Sequence, residues 1–129
     1  MQLGMVGLGR MGMGMTKRLQ QAGHDIKTYD PNVDSTAKTL GALAKQLETP
    51  RHVWMMVPSG KITEDTFQKL LKVLEPGDTI IDGGNTNFHD DVRRHAALKE
   101  KVRRTNAYAY SRRFLDALAA RRIKPAAAA

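Results

Sequence analysis

The 129-residue sequence contains no cysteine, which excludes disulfides, thiolate metal sites and a cysteine nucleophile and fits a reducing compartment. It also lacks any uninterrupted apolar run near the roughly 20 residues that a membrane-crossing helix needs, so no membrane partner is expected. From Met1 the chain passes within a few residues into glycine-rich turn chemistry, without the basic stretch, apolar core and small-residue cleavage site of an export signal. The expected compartment is the cytoplasm. His24, His52, His89 and His95 lack metal-ligand spacing, so no metal is expected. There is no internal repeat, and the low-complexity sequence is confined to Ala126 to Ala129.

Positive charge is abundant but unevenly placed. Residues 99–129 hold nine Lys and Arg against Glu100 and Asp116, a net of +7, which leaves +1 of the total +8 for residues 1–98. A polyanion would therefore have to meet the tail. There Tyr108, Tyr110 and Phe114 lie among arginines as stacking platforms for a single strand would. The same segment also reads as a helix with Arg112, Arg113, Arg121 and Arg122 on a solvated face around Phe114, Leu115 and Leu118. Electrostatic attraction alone is blind to sequence, so a specific nucleic-acid partner is not expected.

Along the rest of the chain, strand and helix patterns alternate. Residues 2–6 form an apolar run ending at Gly7, and Met11, Met15 and Leu19 then recur at helical spacing until Ala22-Gly23. A second strand over 25–30 ends at Asp30-Pro31-Asn32. Asp34 or Ser35 can cap a helix through about Leu47, and a bulky apolar strand follows over 52–57. The spacing predicts a helix over 62–74, a strand over 78–82, and a further helix capped by Asn87 and running to about Arg104. Such alternation specifies an α/β fold, a mainly parallel sheet with helices on both faces.

Gly7-Leu8-Gly9-Arg10-Met11-Gly12 matches G-x-G-x-x-G, follows a strand, opens a helix, and has an acidic residue, Asp30, about 20 positions on. Gly7 permits the sharp turn, Gly9 lets the backbone approach a pyrophosphate, and Gly12 allows close packing of helix on strand. Leu8, Arg10 and Met11 complete the turn, with Arg10 able to meet a phosphate. Asp30 is expected to accept hydrogen bonds from ribose hydroxyls and to repel a 2′-phosphate, which favours NAD over NADP; it also suits the start of the turn at Pro31. Val57 and Pro58 follow a strand at its carboxyl end and either line a cofactor crevice or form a plain loop. Trp54 and the neighbouring methionines read as core.

The glycine motif, Tyr29-Asp30, Pro50 through Pro58, Glu75-Pro76-Gly77-Asp78, Asp82-Gly83-Gly84-Asn85, Asp90-Asp91 and Arg93-Arg94 together resemble bacterial 6-phosphogluconate dehydrogenase of the shorter-chain type, over about residues 1–101. The resemblance implies a Rossmann-like, doubly wound domain. It also implies an NAD(P)-dependent oxidoreductase of the pentose phosphate pathway, which passes a hydride from 6-phosphogluconate to the cofactor and releases carbon dioxide and ribulose 5-phosphate. By the same resemblance Asn85 sits beside both nicotinamide and substrate, although after Gly84 it also suits a turn.

Two departures shape the expectation. The segment around Gly41 to Gln46 looks short, as if a third strand and the start of the next helix were lost. Beyond Lys101, residues 102–129 fit neither the family's next strand nor its serine-glycine-glycine substrate loop, and no lysine stands in a matched catalytic position. The expected organisation is a truncated dinucleotide-binding domain, 1–101, and a basic helical or disordered tail, 102–129. No catalytic residue is assigned, and 6-phosphogluconate is expected as a partner only of a complete enzyme. The alternative is a non-catalytic nucleotide-binding module that works with a partner chain or self-associates through an uncovered sheet edge.

Overall fold

A computed structural model of the chain describes residues 1–85, 88–97 and 103–106. In chain order the elements are β1 (Gln2–Val6), α1 (Arg10–Gln21), β2 (Asp25–Tyr29), α2 (Leu40–Lys45), β3 (His52–Met55), α3 (Lys61–Val73), β4 (Thr79–Asp82), α4 (Phe88–Ala97) and β5 (Arg103–Asn106). The five strands form one sheet in the order β2-β1-β3-β4-β5. Every pairing is parallel.

Period-two alternation in the strands builds two cores, one on each face of the sheet. Leu3 and Met5 of β1, Ile26 of β2 and Ile81 of β4 join Met13, Met15 and Leu19 of α1 on one face. Val6, Val53, Met55 and Ile80 point the other way, onto Leu40 and Leu43 of α2 and Phe67 and Leu70 of α3. Among the described residues no helix is long and apolar enough to cross a membrane.

Two expectations need correction. The second helix starts at Leu40, later than a cap at Asp34 or Ser35 would allow, and its N-cap is Thr39, whose hydroxyl accepts from the Ala42 amide at 3.0 Å. Residues 35–37 instead bind along the outer side of β2. The Thr36 hydroxyl accepts from the Thr28 amide at 2.8 Å, and the Ala37 amide donates to the Thr28 carbonyl at 3.0 Å. This return segment leaves Thr28 of β2 no free backbone group for edge pairing.

The second correction concerns the stretch read as helix to Arg104 and as lacking a strand after Lys101. Helix α4 ends at Ala97, and Arg103–Asn106 is a parallel strand in register with Thr79–Asp82. All four residues of β4 are buried, so backbone groups along both of its edges need partners; β3 supplies one side and β5 the other. The Asn87 cap lies outside the described residues, as does all of the basic tail beyond Asn106. The connection from β2 to β3 carries α2 and no strand, in line with its short sequence, and β2 is therefore an outer strand.

Candidate functional site

Strand order reverses beside β1: the chain steps outward to β2, then returns past β1 to β3 and β4. In an open parallel sheet such a reversal leaves a crevice at the carboxyl ends of the strands. Three loops meet there, those following β1, β3 and β4.

The loop after β1 turns at Gly7, whose φ of +94° is a left-handed value that suits glycine. The Gly7 amide donates to the Tyr29 carbonyl at 2.9 Å, and a Cβ at Gly7 would lie 2.5 Å from the Met56 carbonyl oxygen. The loop is thus pressed against β2 on one side and the end of β3 on the other. Gly12 is buried in the first turn of α1, where a Cβ would run into the Gly7 carbonyl. Gly9 differs from both. It is the N-cap of α1, no side chain caps that helix, and a Cβ at Gly9 would meet no atom within 4 Å. Backbone donors at this helix end therefore face open space. Arg10 and Met11 beside them are exposed, whereas Leu8 is buried in the core.

Asp30 stands directly across from this turn. Its Oδ2 accepts from the Leu8 amide at 2.7 Å and its Oδ1 from the Asn32 amide at 2.8 Å. The carboxylate therefore starts the turn at Pro31, one of its two expected roles, and also holds the glycine loop, which the sequence did not disclose. Each carboxylate oxygen still has acceptor capacity.

After β3, the Met56 amide donates to the Val6 carbonyl at 2.7 Å, extending the ladder by one residue. Val57 is half-buried against the core, and Pro58 is exposed with its carbonyl accepting from the Thr63 hydroxyl at 2.8 Å. That bond fixes the loop to the first turn of α3. After β4, the Gly83 amide donates to the Met55 carbonyl at 3.0 Å. A Cβ at Gly83 would collide with the Trp54 indole nitrogen and lie 2.7 Å from the Met56 sulfur, so only glycine lets the chain cross here. Asn85 follows, exposed at the same end of the sheet.

Gly7, Gly9, Gly12, Asp30, Val57, Pro58 and Asn85 thus converge from four separate stretches of chain. The sequence reading missed a buried ionic cluster behind the β4 loop. Arg94 of α4, 3% exposed, lies 2.8 Å from Glu64 of α3 and 3.7 Å from the equally buried Asp82. The Arg94 guanidinium, helped by Gln68, holds the Glu64 carboxyl below its ordinary range. An aspartate closing the apolar run Thr79-Ile80-Ile81 was the available signal, because a buried carboxylate calls for a cation. Among the described residues no group of acidic or histidine side chains could hold a metal ion.

Residues 2–121 match the family described as the NAD binding domain of 6-phosphogluconate dehydrogenase. The decarboxylating 6-phosphogluconate dehydrogenase of Staphylococcus aureus strain N315 is 31% identical over 115 residues, covering 78% of this chain and 25% of that protein. The Haloferax volcanii protein named as NAD(+)-dependent and decarboxylating is 35% identical over 107 residues, covering 75% and 36%. Among solved structures, Plasmodium falciparum 6-phosphogluconate dehydrogenase superposes with a TM-score of 0.73 at 28% identity, covering 81% of this chain and 26% of that one. A 3-hydroxyisobutyrate dehydrogenase from Mycobacterium tuberculosis, at 20% identity and a TM-score of 0.61, shares the fold. The chain spans between a quarter and about a third of the length of the two curated relatives.

Proposed function

Since the chain belongs to the family of the NAD binding domain of 6-phosphogluconate dehydrogenase, we propose that it binds NAD across the carboxyl ends of β1 and β3. The observation that carries this reading is the open space at Gly9, in front of an uncapped helix end, between two glycines that the fold itself requires. Gly7, Leu8, Gly9, Arg10, Met11 and Gly12 would hold the pyrophosphate by backbone amides, with Arg10 as the nearby cation. Val57 and Pro58 would line the crevice, and Asn85 would meet the nicotinamide end and, in a complete enzyme, 6-phosphogluconate. The cofactor, when bound, supplies the hydride acceptor.

Asp30 supports NAD over NADP. Its charged oxygens can still accept from a ribose hydroxyl, whereas a 2′-phosphate would bring like charge against them. The relatives go both ways, the Haloferax protein being named NAD(+)-dependent and the Plasmodium structure described with NADP+. Trp54 is the single tryptophan and lies under Gly83, so quenching of its emission reports on the crevice. Titration with NADH and NADPH is expected to show NADH binding tighter by about tenfold, roughly 1.4 kcal/mol. Asp30→Asn should narrow that gap while keeping an acceptor for Leu8. Equal wild-type affinities would remove the specificity role from Asp30.

These 129 residues are assigned binding without turnover. Hydride transfer needs a positioned substrate and acid–base groups around its hydroxyl, and cofactor binding alone fixes only one reactant. With NAD and 6-phosphogluconate at high protein concentration, absorbance of reduced cofactor is expected to stay flat. Growth that disappears in Asn85→Ala would show that the chain holds catalytic groups. We place the protein in the cytoplasm, a reading supported by its lack of cysteine. Self-association through a sheet edge remains the second reading of the chain's partners, at backbone other than Thr28, which the return segment occupies.

A further inference from the structure

The turn that presents Asn85 is shaped by one carboxylate. Asp82 ends β4 with its side chain 2% exposed, and its Oδ1 accepts from the Gly84 amide at 3.1 Å, folding the chain back over Gly83. Its other oxygen, Oδ2, lies 3.7 Å from Nη1 of Arg94. Rotation of the carboxylate toward or away from Arg94 therefore moves the acceptor that holds Gly84. Arg94 is itself fixed, since its Nε donates to Glu64 Oε2 at 2.8 Å, and Arg93 approaches the same oxygen at 3.3 Å.

The placement of this cation is informative. A guanidinium 3% exposed gives up nearly all of its water, and an apolar side chain of similar volume commonly serves stability as well or better. A planar guanidinium does what an apolar side chain cannot: it hydrogen-bonds one carboxylate, here Glu64, while its charge draws a second, here Asp82 at 3.7 Å. Here those carboxylates come from α3, which follows the Val57-Pro58 loop, and from β4, which precedes the Asn85 loop. Arg94 on α4 thus ties together the flanks of two of the three loops that form the crevice.

We propose that Arg94 is a positioning residue for the Gly83-Gly84-Asn85 turn, holding Asp82 against Glu64 so that Asn85 meets the nicotinamide half of the dinucleotide. The inference rests on the cofactor reading above and goes beyond it, because Arg94 lies on α4 behind Asp82 and would act through that carboxylate. It separates the two halves of the cofactor. The adenosine and pyrophosphate are held at Gly7 through Gly12 and Asp30, and the nicotinamide depends on the turn that Arg94 shapes.

The test compares NADH with ADP-ribose, which lacks only the nicotinamide base, on the full 129-residue chain. Arg94→Lys keeps the charge and the stem but loses the fork. It is expected to weaken NADH on the order of tenfold and ADP-ribose less than about twofold, as a displaced positioning group does to the part it serves. Thermal unfolding and circular dichroism run alongside. A purely structural Arg94 would lower the melting temperature and weaken both ligands together, and that result, or an unchanged NADH affinity, overturns the proposal. Should Arg94→Lys lose its native dichroism, Glu64→Ala carries the test, since it removes the acceptor that holds Arg94 to α3 while leaving Asp82 intact, and the same split must appear. Equal affinities of the wild type for both ligands would also overturn the proposal while leaving dinucleotide binding standing. Binding of neither ligand would remove both readings.

Discussion

Gly9→Val is expected to abolish dinucleotide binding while leaving a folded domain. The backbone at Gly9 has φ −63° and ψ −174°, extended values open to any residue, and the position where a Cβ would be built has no neighbour within 4 Å. The protein itself therefore tolerates the branched side chain. The cost to the fold is confined to replacing glycine by a poorer N-cap, about 1 kcal/mol. The ligand does not tolerate it, because the valine methyls would fill the space through which a pyrophosphate reaches the helix amides. A loss beyond about a hundredfold, near 3 kcal/mol, is expected. Gly12→Ala should do the reverse, since its methyl would meet the Gly7 carbonyl, a backbone atom that no rotamer change can move. It is expected to destabilise the fold by roughly 3 kcal/mol, in the upper range for overpacking. Calorimetry with NAD, paired with chemical denaturation of both variants, checks the contrast. Wild-type affinity in Gly9→Val would mean that the crevice does not hold the pyrophosphate.

That contrast also shows what the sequence could and could not disclose. The spacing Gly7, Gly9, Gly12 and Asp30 was legible because each residue answers a local demand: a left-handed turn, an open approach, a close packing, an acidic strand end. The two-faced sheet was legible because Val53, Trp54 and Met55, or Ile80 and Ile81, form continuous apolar runs that one covered face would not need. Other features depend on partners distant in sequence. Arg103-Arg104-Thr105-Asn106 has no strand pattern of its own and pairs because β4 presents unfilled backbone groups. Ser35 resembles a helix cap, yet its hydroxyl accepts from the Asp30 amide at the end of β2. Arg94 reads as one more charge on a polar helix until Asp82 and Glu64 are brought beside it.

Asp78→Asn should produce the largest loss of stability, and the loss should depend on pH. Asp78 lies before β4, at the opposite end of the sheet from the crevice, with its side chain 1% exposed. It accepts from the Arg51 amide at 2.7 Å, the Glu75 amide at 2.8 Å and the Arg51 guanidinium at 3.0 Å. Arg51 in turn donates to the Ala44 carbonyl at 3.0 Å, so this carboxylate joins the start of β3, the turn after α3 and the end of α2. Burial alone would raise the Asp78 carboxyl, but the two backbone amides and Arg51 outweigh it and the carboxyl lies below its ordinary range. Breaking a buried pair by removing one charge costs about 3 kcal/mol or more, and that is the loss expected for Asp78→Asn at pH 7. A depressed carboxylate contributes stability that is present above its unfolded value and lost as pH falls through its folded one. The gap between wild type and variant should therefore hold from neutral pH down to about pH 4, the unfolded aspartate range, and close below it. Urea denaturation across that range measures the gap directly. A constant gap would assign the loss to packing alone, and a gap under about 1 kcal/mol at pH 7, the scale of an exposed pair, would show that the Asp78 carboxylate does not hold these three elements together.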